Sequence, residues 1–524
     1  MPQAAGEFLV CGLGNVGLRV VELLCAAGLP AVVLTREATA ERTRLAGAAG
    51  ARVLFGDARD DAALLGAGLA SARALLLLTS HDVTNVAIAL DAQRLAPEVP
   101  IVMRLFDATL AEELELAFGV RRAAAVSAIA APVFAGAALG EGTLASFSSP
   151  EGLFVVESRT LDAASPLAGS PATGIPPGLS AVLVSASREG VPATGTLAAG
   201  DRVVLCGLKT KLEELHPGPV REARPASRNP AEPTLLATLR QAFVQSSTGL
   251  KAALAALLGL ALLSVGVFSF TLSLPVEDAI YFVVTTVTTT GYGDVSLLKA
   301  PLLVKLFGCL LMVLGSAALG ILYSLLTGFV VTQRFEELLG RRRVPRHGHV
   351  VVLGLGNVGL RLLASLRNAG VPVVLLEHDE RNEYLATVRR DVPSVIGDAR
   401  SEVVLRAAGV AEARAIVAVT GDDAVNLGAG LLARKIATSA RVVIRLFDPD
   451  LARKVESSGH VDAALSASRA AAPFFVASAL APFVKAAFVS EGTLWALVGR
   501  TSEPGSPDPL ARAGVGLVSL ARVG

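Results

Sequence analysis

One long internal repeat constrains the fold of this 524-residue chain more than any other feature. The segment FLVCGLGNVGLRV at 8–20 returns as VVVLGLGNVGLRLL at 350–363. The motifs GDAR, T(S/G)xDxxN and RLFD then follow in the same order in both copies, about 340 residues apart. Each copy alternates short apolar runs with helical patterns, which predicts βαβ units and a parallel sheet. The chain therefore contains the same α/β domain twice.

The repeat and the composition between its copies set the predicted boundaries. Each copy is predicted to be an α/β Rossmann-like lobe followed by a small α+β C-terminal lobe. The lobe of the second copy is predicted to be partial, because that copy stops before the strands that end the first. A proline-rich stretch between the copies is too rich in proline for a packed element and is predicted to be a linker with a pre-membrane helix. The predicted ranges are 6–145 and 146–216 for the first copy, 217–248 for this linker, 334–346 for a second linker, and 347–486 and 487–524 for the second copy.

Two long apolar segments lie between the copies. Hydrophobic residues make up 52% of the chain, and the segments 250–272 and 301–332 carry one charge each. A membrane span needs about 20 apolar residues, so both segments are predicted spans, with a pair of buried core helices as the alternative. Arginines cluster outside the two spans, which predicts that both termini are cytoplasmic. The net charge of +1 gives no argument for nucleic-acid binding, and the N-terminus shows no cleaved signal peptide.

The segment between the spans does not have the composition of a polar loop. Pro275 can start a helix, and the residues after Asp278, up to 288, carry no further charge and are apolar or hydroxylated, which predicts a pore helix at 276–288. A half-length helix followed by extended chain is typical of a re-entrant segment that lines a water-filled path. Gly291 and Gly293 allow backbone conformations that are closed to other residues. In such conformations successive backbone carbonyl groups can point the same way. A ring of these carbonyl groups from several subunits can replace the water shell of a cation.

The motif TTGYGD at 289–294 resembles the TVGYGD signature of potassium channels, with Thr290 in the usual place of valine. The region 249–333 resembles a two-helix potassium-channel pore with a filter at 289–293. This resemblance implies a homotetramer and Tyr292 as a brace of the filter. Gly315 and Gly320 are gating-hinge candidates, with close helix packing as the alternative. The implied K⁺ ligands are Thr289, Thr290, Gly291 and Tyr292, and the residues that close the outer end are Gly293 and Asp294.

The GLGNVG motif in each copy follows an apolar strand and opens a helical pattern. This context predicts that the backbone approaches a pyrophosphate at a helix N-terminus. In the second copy, Glu377 ends the next strand and can accept from a ribose hydroxyl, which favours NAD(H) or an adenine nucleotide. In the first copy, Thr35 and Arg36 occupy this place, which fits the 2′-phosphate of NADP(H) or a site without a ribose contact. A turn kept for packing alone is the alternative in both copies. The candidate loop residues are Gly12, Gly14, Asn15, Gly17, Gly354, Gly356, Asn357 and Gly359.

Both copies resemble the RCK or TrkA-type domains that regulate potassium channels and transporters. The resemblance rests on GLGNVG, GDAR, T(S/G)xDxxN and RLFD in order. It implies that Asp57 and Asp398 lie near an adenine and that Thr79 and Thr420 line the cleft. The family more often places these domains after the pore, whereas here one copy precedes it.

Enzyme chemistry has little support in the sequence. No histidine recurs at equivalent positions of the two copies, and no hydrolase or kinase motif is visible. Paired carboxylates could bind Ca²⁺, but solvated helix faces are the favoured interpretation; the pairs are Asp60–Asp61, Glu112–Glu113 and Asp422–Asp423.

The prediction is therefore a non-enzymatic, ligand-gated K⁺ channel subunit in the lipid of a prokaryotic inner membrane. It has two spans, two cytoplasmic termini and small nucleotides as its regulatory ligands. Two alternatives stay open. One is a non-selective cation channel of the same architecture, and the other is a nucleotide-sensing membrane protein or oxidoreductase with a vestigial pore.

Overall fold

A computed structural model describes residues 6–106, 108–117, 119–174, 181–215, 248–338, 344–501, 509–512 and 515–523. The chain divides into two compact units. One comprises Met1–Ala223 with Arg342–Gly524, and the other comprises Arg224–Arg341. The predicted linker at 217–247 and the basic residues 341–343 lie outside the described residues.

The first copy begins with a six-stranded parallel sheet in the order β3-β2-β1-β4-β5-β6. Its central strands are buried over their full length, as expected for apolar strands covered by helices on both faces. β1 pairs with β2 on one side and β4 on the other, so the strand order reverses there and opens a cleft at the carboxyl ends. The strands are β1 Phe8–Cys11, β2 Ala31–Thr35, β3 Arg52–Phe55, β4 Ala74–Leu77, β5 Ile101–Leu105 and β6 Arg122–Ala125. The helices are α1 Asn15–Ala26, α2 Ala40–Ala48, α3 Asp61–Gly66, α4 Asp82–Leu95, α5 Ala108–Ala117 and α6 Val126–Leu139.

The C-terminal lobe of the first copy is an antiparallel sheet in the order β10-β9-β11-β8-β7. It starts at Thr143, three residues before the predicted boundary at 146. Its elements are β7 Thr143–Ser149, β8 Gly152–Thr160, β9 Ala181–Arg188, β10 Val191–Pro192, β11 Arg202–Leu208 and α7 Lys209–Leu215.

The second unit consists of three helices in the described residues. They are α8 Thr248–Thr271, α9 Val276–Val287 and α10 Leu302–Leu338. Pro275 directly precedes α9, as predicted. α10 continues six residues beyond the predicted end at 332 and into the predicted linker 334–346, because no proline or glycine interrupts VVTQRFEEL.

A hydrophobic cluster holds the three helices of this unit together. Phe268 of α8 is fully buried and meets Phe282 of α9 and Phe307 of α10 edge-to-face, with ring centroids 5.0 and 5.8 Å away. Among the described residues, one segment, Leu302–Gly320, is long and apolar enough to cross a membrane. The apolar part of α8, Leu258–Thr271, is shorter.

The second copy repeats the topology of the first, with the sheet order β14-β13-β12-β15-β16-β17. Its strands are β12 Val350–Leu353, β13 Val373–Glu377, β14 Ser394–Ile396, β15 Ala415–Ala418, β16 Arg441–Arg445 and β17 Ala463–Leu465. Its helices are α11 Asn357–Asn368, α12 Leu385–Val388, α13 Glu402–Ala407, α14 Asp423–Ile436, α15 Pro449–Ser457 and α16 Ala467–Leu480.

The second C-terminal lobe has three strands in its described part, in the order β18-β19-β20. β20 pairs antiparallel with β19, in the place that β11 takes beside β8 in the first copy. The described part of this sheet begins at Val484 rather than at the predicted 487, and the partial extent of the lobe stays a prediction. Its elements are β18 Val484–Ser490, β19 Thr493–Gly499, α17 Pro509–Arg512 and β20 Val515–Arg522.

The two copies exchange their last N-lobe helices. Phe475 of α16 is fully buried in the core of the first sheet, together with Val10 and Leu76. Reciprocally, Phe134 of α6 is fully buried in the core of the second sheet, beside Val352. Each sheet is therefore covered on one face by a helix from the other copy.

Arginines from one copy also cap the exchanged helix of the other. The last carbonyls of a helix have no partner within the helix. Arg441 Nε donates to the Ala137 carbonyl oxygen over 2.6 Å, and Arg414 Nη2 donates to that of Leu139 over 3.1 Å, at the end of α6. Arg121 Nη1 donates to the carbonyl oxygen of Ala479 near the end of α16 over 2.9 Å. These contacts fix the two copies in one unit.

Candidate functional site

The glycine loop has the same backbone in both copies. Gly12 and Gly354 each have φ of 99°, a left-handed conformation that favours glycine. A Cβ at Gly17 would lie 3.1 Å from the carbonyl carbon of Gly12, and one at Gly359 would lie 3.0 Å from that of Gly354. The first and third glycines of each motif are therefore required by the fold itself.

The middle glycine of each loop faces open space. A Cβ at Gly14 or Gly356 would meet no atom within 4 Å. These residues precede α1 and α11, which begin at Asn15 and Asn357, and neither helix receives a side-chain cap at its first residue. The free N–H groups and the helix dipole at such an end favour an anion. The geometry fits the predicted approach of a pyrophosphate.

The two clefts differ at the end of the second strand. The carboxylate of Glu377 is buried and accepts from the N–H groups of Leu355, His378 and Asp379 over 2.6, 2.7 and 2.9 Å. This carboxylate is thus held against the glycine loop. In the first copy, the hydroxyl of Thr35 donates to the carbonyl oxygen of Glu37 over 2.8 Å. The adjacent Arg36 is exposed.

The GDAR motifs make the same ion pair in both copies. Asp57 pairs with Arg59 over 2.6 Å, and Asp398 pairs with Arg400 over 2.8 Å. Hydrogen bonds from the arginine side chain and backbone lower the pKa of each aspartate to about 2. Each carboxylate is therefore ionised and oriented at neutral pH.

The T(S/G)xDxxN motif joins the ends of two strands. Asn85 is fully buried, accepts from the Thr79 hydroxyl over 2.6 Å and donates to the Arg104 carbonyl oxygen over 2.8 Å. Asn426 does the same with Thr420 and Arg445, over 2.8 and 3.1 Å. The two predicted threonines thus lie at the strand ends beside the cleft. Through the asparagines they also connect the ends of two neighbouring strands.

The arginine of each RLFD motif is a candidate site residue that the sequence prediction missed. Arg104 is the last residue but one of β5 and Arg445 is the last residue of β16, so both lie near the carboxyl ends of their strands. Their guanidinium carbons lie 4.7 and 4.3 Å from the ring centroids of Phe106 and Phe447. Burial lowers the pKa of both, yet an arginine stays charged at neutral pH. The repetition of RLFD at a strand end was the available signal.

The paired carboxylates have structural partners. Asp60 and Asp422 accept from backbone N–H groups at the first turns of α3 and α14, and Asp423 accepts from the N–H of Phe447. Asp61 forms an ion pair with Arg94 over 2.6 Å. Across the described ranges, no group of three or more metal-binding side chains occurs. The side chain of Glu112 lies outside the described residues.

The TTGYG segment alternates its backbone conformation. Thr289, Gly291 and Gly293 have φ of 59°, 51° and 82°, whereas Thr290 and Tyr292 are not among the described residues with positive φ. Such alternation turns successive peptide groups to the same side, as in nests of backbone groups. A β-branched residue in this region is strained, and strain of this kind clusters at functional sites. The backbone is thus consistent with a row of carbonyl ligands.

The threonines before this segment tie it to the end of α9. The N–H groups of Thr290 and Gly291 donate to the Thr285 carbonyl oxygen over 2.9 and 3.2 Å. The Thr288 hydroxyl donates to the Val284 carbonyl oxygen over 2.8 Å and lies 2.9 Å from the Thr290 hydroxyl. The Thr290 side chain is therefore held toward the helix end.

Two tyrosines stack beside the TTGYG segment, and two glycines of α10 are the hinge candidates. The rings of Tyr281 and Tyr292 stack with centroids 6.4 Å apart, and Asp294 accepts from the N–H of Val295 over 3.2 Å. A Cβ at Gly315 would lie 3.1 Å from Val287, whereas one at Gly320 would meet nothing within 4 Å. Close packing accounts for Gly315, and Gly320 stays a hinge candidate.

Family models match the chain in three places. The TrkA-N domain model matches residues 8–126 and again 350–467. The ion-channel model matches residues 255–332. The chain carries two TrkA-N domains that flank an ion-channel domain. The predicted fold class is confirmed.

Curated relatives match parts of the chain. The chain is 25% identical over 207 residues to "Probable potassium channel protein 2" of Methanocaldococcus jannaschii, covering 38% of this chain and 57% of that protein. It is 38% identical over 102 residues to a "Trk system potassium uptake protein TrkA homolog" of Archaeoglobus fulgidus, covering 19% and 22%. The chain spans 33% to 59% of the length of the first curated relatives that it matches.

A solved structure described as "GsuK channel bound to NAD" has a similar fold. Its TM-score is 0.51 at 18% identity, and the match covers 96% of this chain and 68% of that one. A likeness at this identity concerns the fold of the TrkA-N and pore regions.

Proposed function

We propose that this chain is a subunit of a ligand-gated potassium channel, through which K⁺ crosses the membrane passively. The observation that carries the proposal is the alternating backbone of TTGYG between two helices of an ion-channel domain. Relatives that carry the name potassium channel support it. Four copies of 289–293 would form the filter.

Backbone carbonyls of this segment would replace the hydration shell of K⁺. Residues 289–292 would supply these ligands, and Gly293 and Asp294 would close the outer end. The Thr290 hydroxyl lies 2.9 Å from that of Thr288, and a threonine in the usual place of valine keeps the backbone carbonyl. Selectivity for K⁺ over Na⁺ is therefore the expected outcome.

The exposed surface of the pore unit supports an assembly in lipid. Tyr292, Leu302 and Leu303 are 72%, 72% and 79% exposed in the single chain. Apolar side chains exposed to this extent indicate contact with lipid or with other subunits. We propose a homotetramer in a prokaryotic inner membrane, with α8 and α10 as its two spans and both termini in the cytoplasm.

Nucleotides at the two TrkA-N domains would gate this pore. The buried acid Glu377 supports NAD(H) or an adenine nucleotide in the second cleft, and Arg36 supports NADP(H) in the first. Binding would shift the pore only as far as the nucleotide binds the open and closed states with different affinity. Gly320 is the position at which α10 would bend.

Ion flux from liposomes that contain the purified full-length protein tests the proposal. We expect K⁺ flux that changes when NAD(H), NADP(H), ADP or ATP is added. A Gly291→Asp variant should abolish the flux, because a side chain and a charge would enter the carbonyl row. Reversal potentials under K⁺/Na⁺ gradients distinguish a selective channel from a non-selective one. A folded tetramer without any flux under these conditions would overturn the proposal in favour of a nucleotide sensor with a vestigial pore.

A further inference from the structure

We propose that the first cleft selects nucleotides that carry a 2′-phosphate, that Arg42 is the residue that holds this phosphate, and that the second cleft rejects it. The inference rests on the proposed function only in that both TrkA-N domains bind nucleotides. It makes one chain a sensor of two chemically distinct cofactor classes.

Arg42 is positioned directly beside the first glycine loop. Its Nη2 donates to Asn15 Oδ1 over 2.6 Å, and Asn15 is the first residue of α1 after the GLG turn. The Thr39 hydroxyl caps α2 by accepting from the N–H of Arg42 over 3.3 Å. The guanidinium is therefore carried by a capped helix from the end of β2 to Asn15 at the start of α1.

Arg36 supplies a second cation on the chain that follows β2, and its Nε lies 3.7 Å from the carboxylate of Glu37. Arg36 follows β2 directly, where the ribose of a bound dinucleotide lies in this fold. Its charge also reaches the GDAR motif, since after the dominant hydrogen bonds from Arg59 it further lowers the pKa of Asp57. Thr35 offers no carboxylate at this end of β2. The chain that follows β2 thus carries two guanidinium groups, those of Arg36 and Arg42, and guanidinium groups match phosphate geometry.

The second cleft has the opposite chemistry at the matching positions. Tyr384 takes the place of Arg42, and its hydroxyl donates to Asn357 Oδ1 over 3.4 Å. Glu377 takes the place of Thr35, and its buried carboxylate lies where a 2′-phosphate would have to enter. Two anions there would repel each other, whereas a free ribose hydroxyl can donate to the carboxylate. The same asparagine is therefore bonded to a cation in one copy and to a neutral ring in the other.

Titration calorimetry of the full-length protein with 2′,5′-ADP and 5′-AMP tests the inference, because these probes differ only in the 2′-phosphate. We expect 2′,5′-ADP to bind one cleft per chain. Arg42→Tyr, which installs the residue of the other copy, should weaken the binding of 2′,5′-ADP by about tenfold or more and leave that of 5′-AMP unchanged. Arg44→Tyr is the matched control, since Arg44 lies exposed on the same helix. Arg42→Lys, which keeps the charge, should retain part of the preference.

Three outcomes would overturn the inference. Equal affinity of the wild-type first cleft for both probes is one. An equal loss of both probes in Arg42→Tyr, which would indicate a structural role, is the second. The third is competition by inorganic phosphate as strong as that by 2′,5′-ADP, which would indicate a general anion site. All three are measured without ion flux, so an inactive pore leaves the inference intact, and a non-selective cleft leaves the channel proposal intact.

Discussion

The two glycine-loop clefts of this chain share a backbone and differ in the side chains that end and follow their second strands. Both have a first glycine at φ 99°, a buried asparagine that joins two strands, and an aspartate paired with its own arginine. They differ where β2 and β13 end, because Thr35 is bonded to a nearby carbonyl and Glu377 to the glycine loop. We infer from this difference that one set of residues builds the scaffold and another would select the proposed ligand. The backbone is the same in both copies, whereas the residue at the expected ribose position is neutral in one and acidic in the other.

The largest expected difference between the two copies concerns stability and comes from the exchanged helices. Phe475→Ala, although it lies in the second copy, should destabilise the first sheet by about 3–5 kcal/mol, the usual cost of removing a buried phenylalanine. Hydrogen exchange should then accelerate in β1 and β4 before it does so in β12. Phe134→Ala should give the reverse pattern. The control is Phe483→Ala at a 72% exposed side chain. Faster exchange in the variant's own copy would contradict the exchange of helices.

Two glycines of the second loop, Gly359 and Gly356, should differ in their roles: the first is needed for the fold and the second for the approach of the ligand. In Gly359→Ala the new methyl group would press on the Gly354 carbonyl, at a cost of about 1–3 kcal/mol. The unfolding midpoint of the protein should fall, and the second cleft should lose its nucleotide. Gly356→Ala should leave the midpoint unchanged, since its Cβ meets nothing, while nucleotide binding weakens. Equal thermal shifts in the two variants would argue against this division of roles.

The acid at the ribose position should affect binding in one cleft only. Glu377→Ala removes the acceptor for a ribose hydroxyl and for three N–H groups, so the affinity of the second cleft for NAD⁺ should fall by about tenfold or more. Calorimetry measures this loss, and Glu377→Gln should retain part of the affinity. The basal K⁺ flux should persist, with only its nucleotide response altered. Loss of basal flux would mean that Glu377 supports the fold rather than the ligand.

The sequence predicted the repeated parts of the fold well and their mutual packing not at all. The alternation of buried strands with helices, the glycine loops and the role of Pro275 are local patterns, so each could be inferred from neighbouring residues. The packing of Phe134 on the second sheet is a contact between copies, and the same apolar helix would fit either sheet. The position of Arg42 was missed for a similar reason. Its meaning depends on Asn15, which is distant in sequence and adjacent only in the folded cleft.

The GDAR ion pairs give the smallest expected effect, and it should be the same in both copies. The pKa of Asp398 is lowered to about 2 by Arg400, so its pairing stabilises the fold fully above the unfolded pKa of about 3.9. That contribution is lost as the pH falls from about 4 towards 2. Arg400→Gln should therefore lower the unfolding midpoint slightly at pH 6, and its difference from wild type should shrink below pH 4. Arg59→Gln should behave alike, because Asp57 is paired in the same way. A pH-independent difference would show that these arginines act through packing, and unequal differences would show that the two clefts diverge beyond the ribose position.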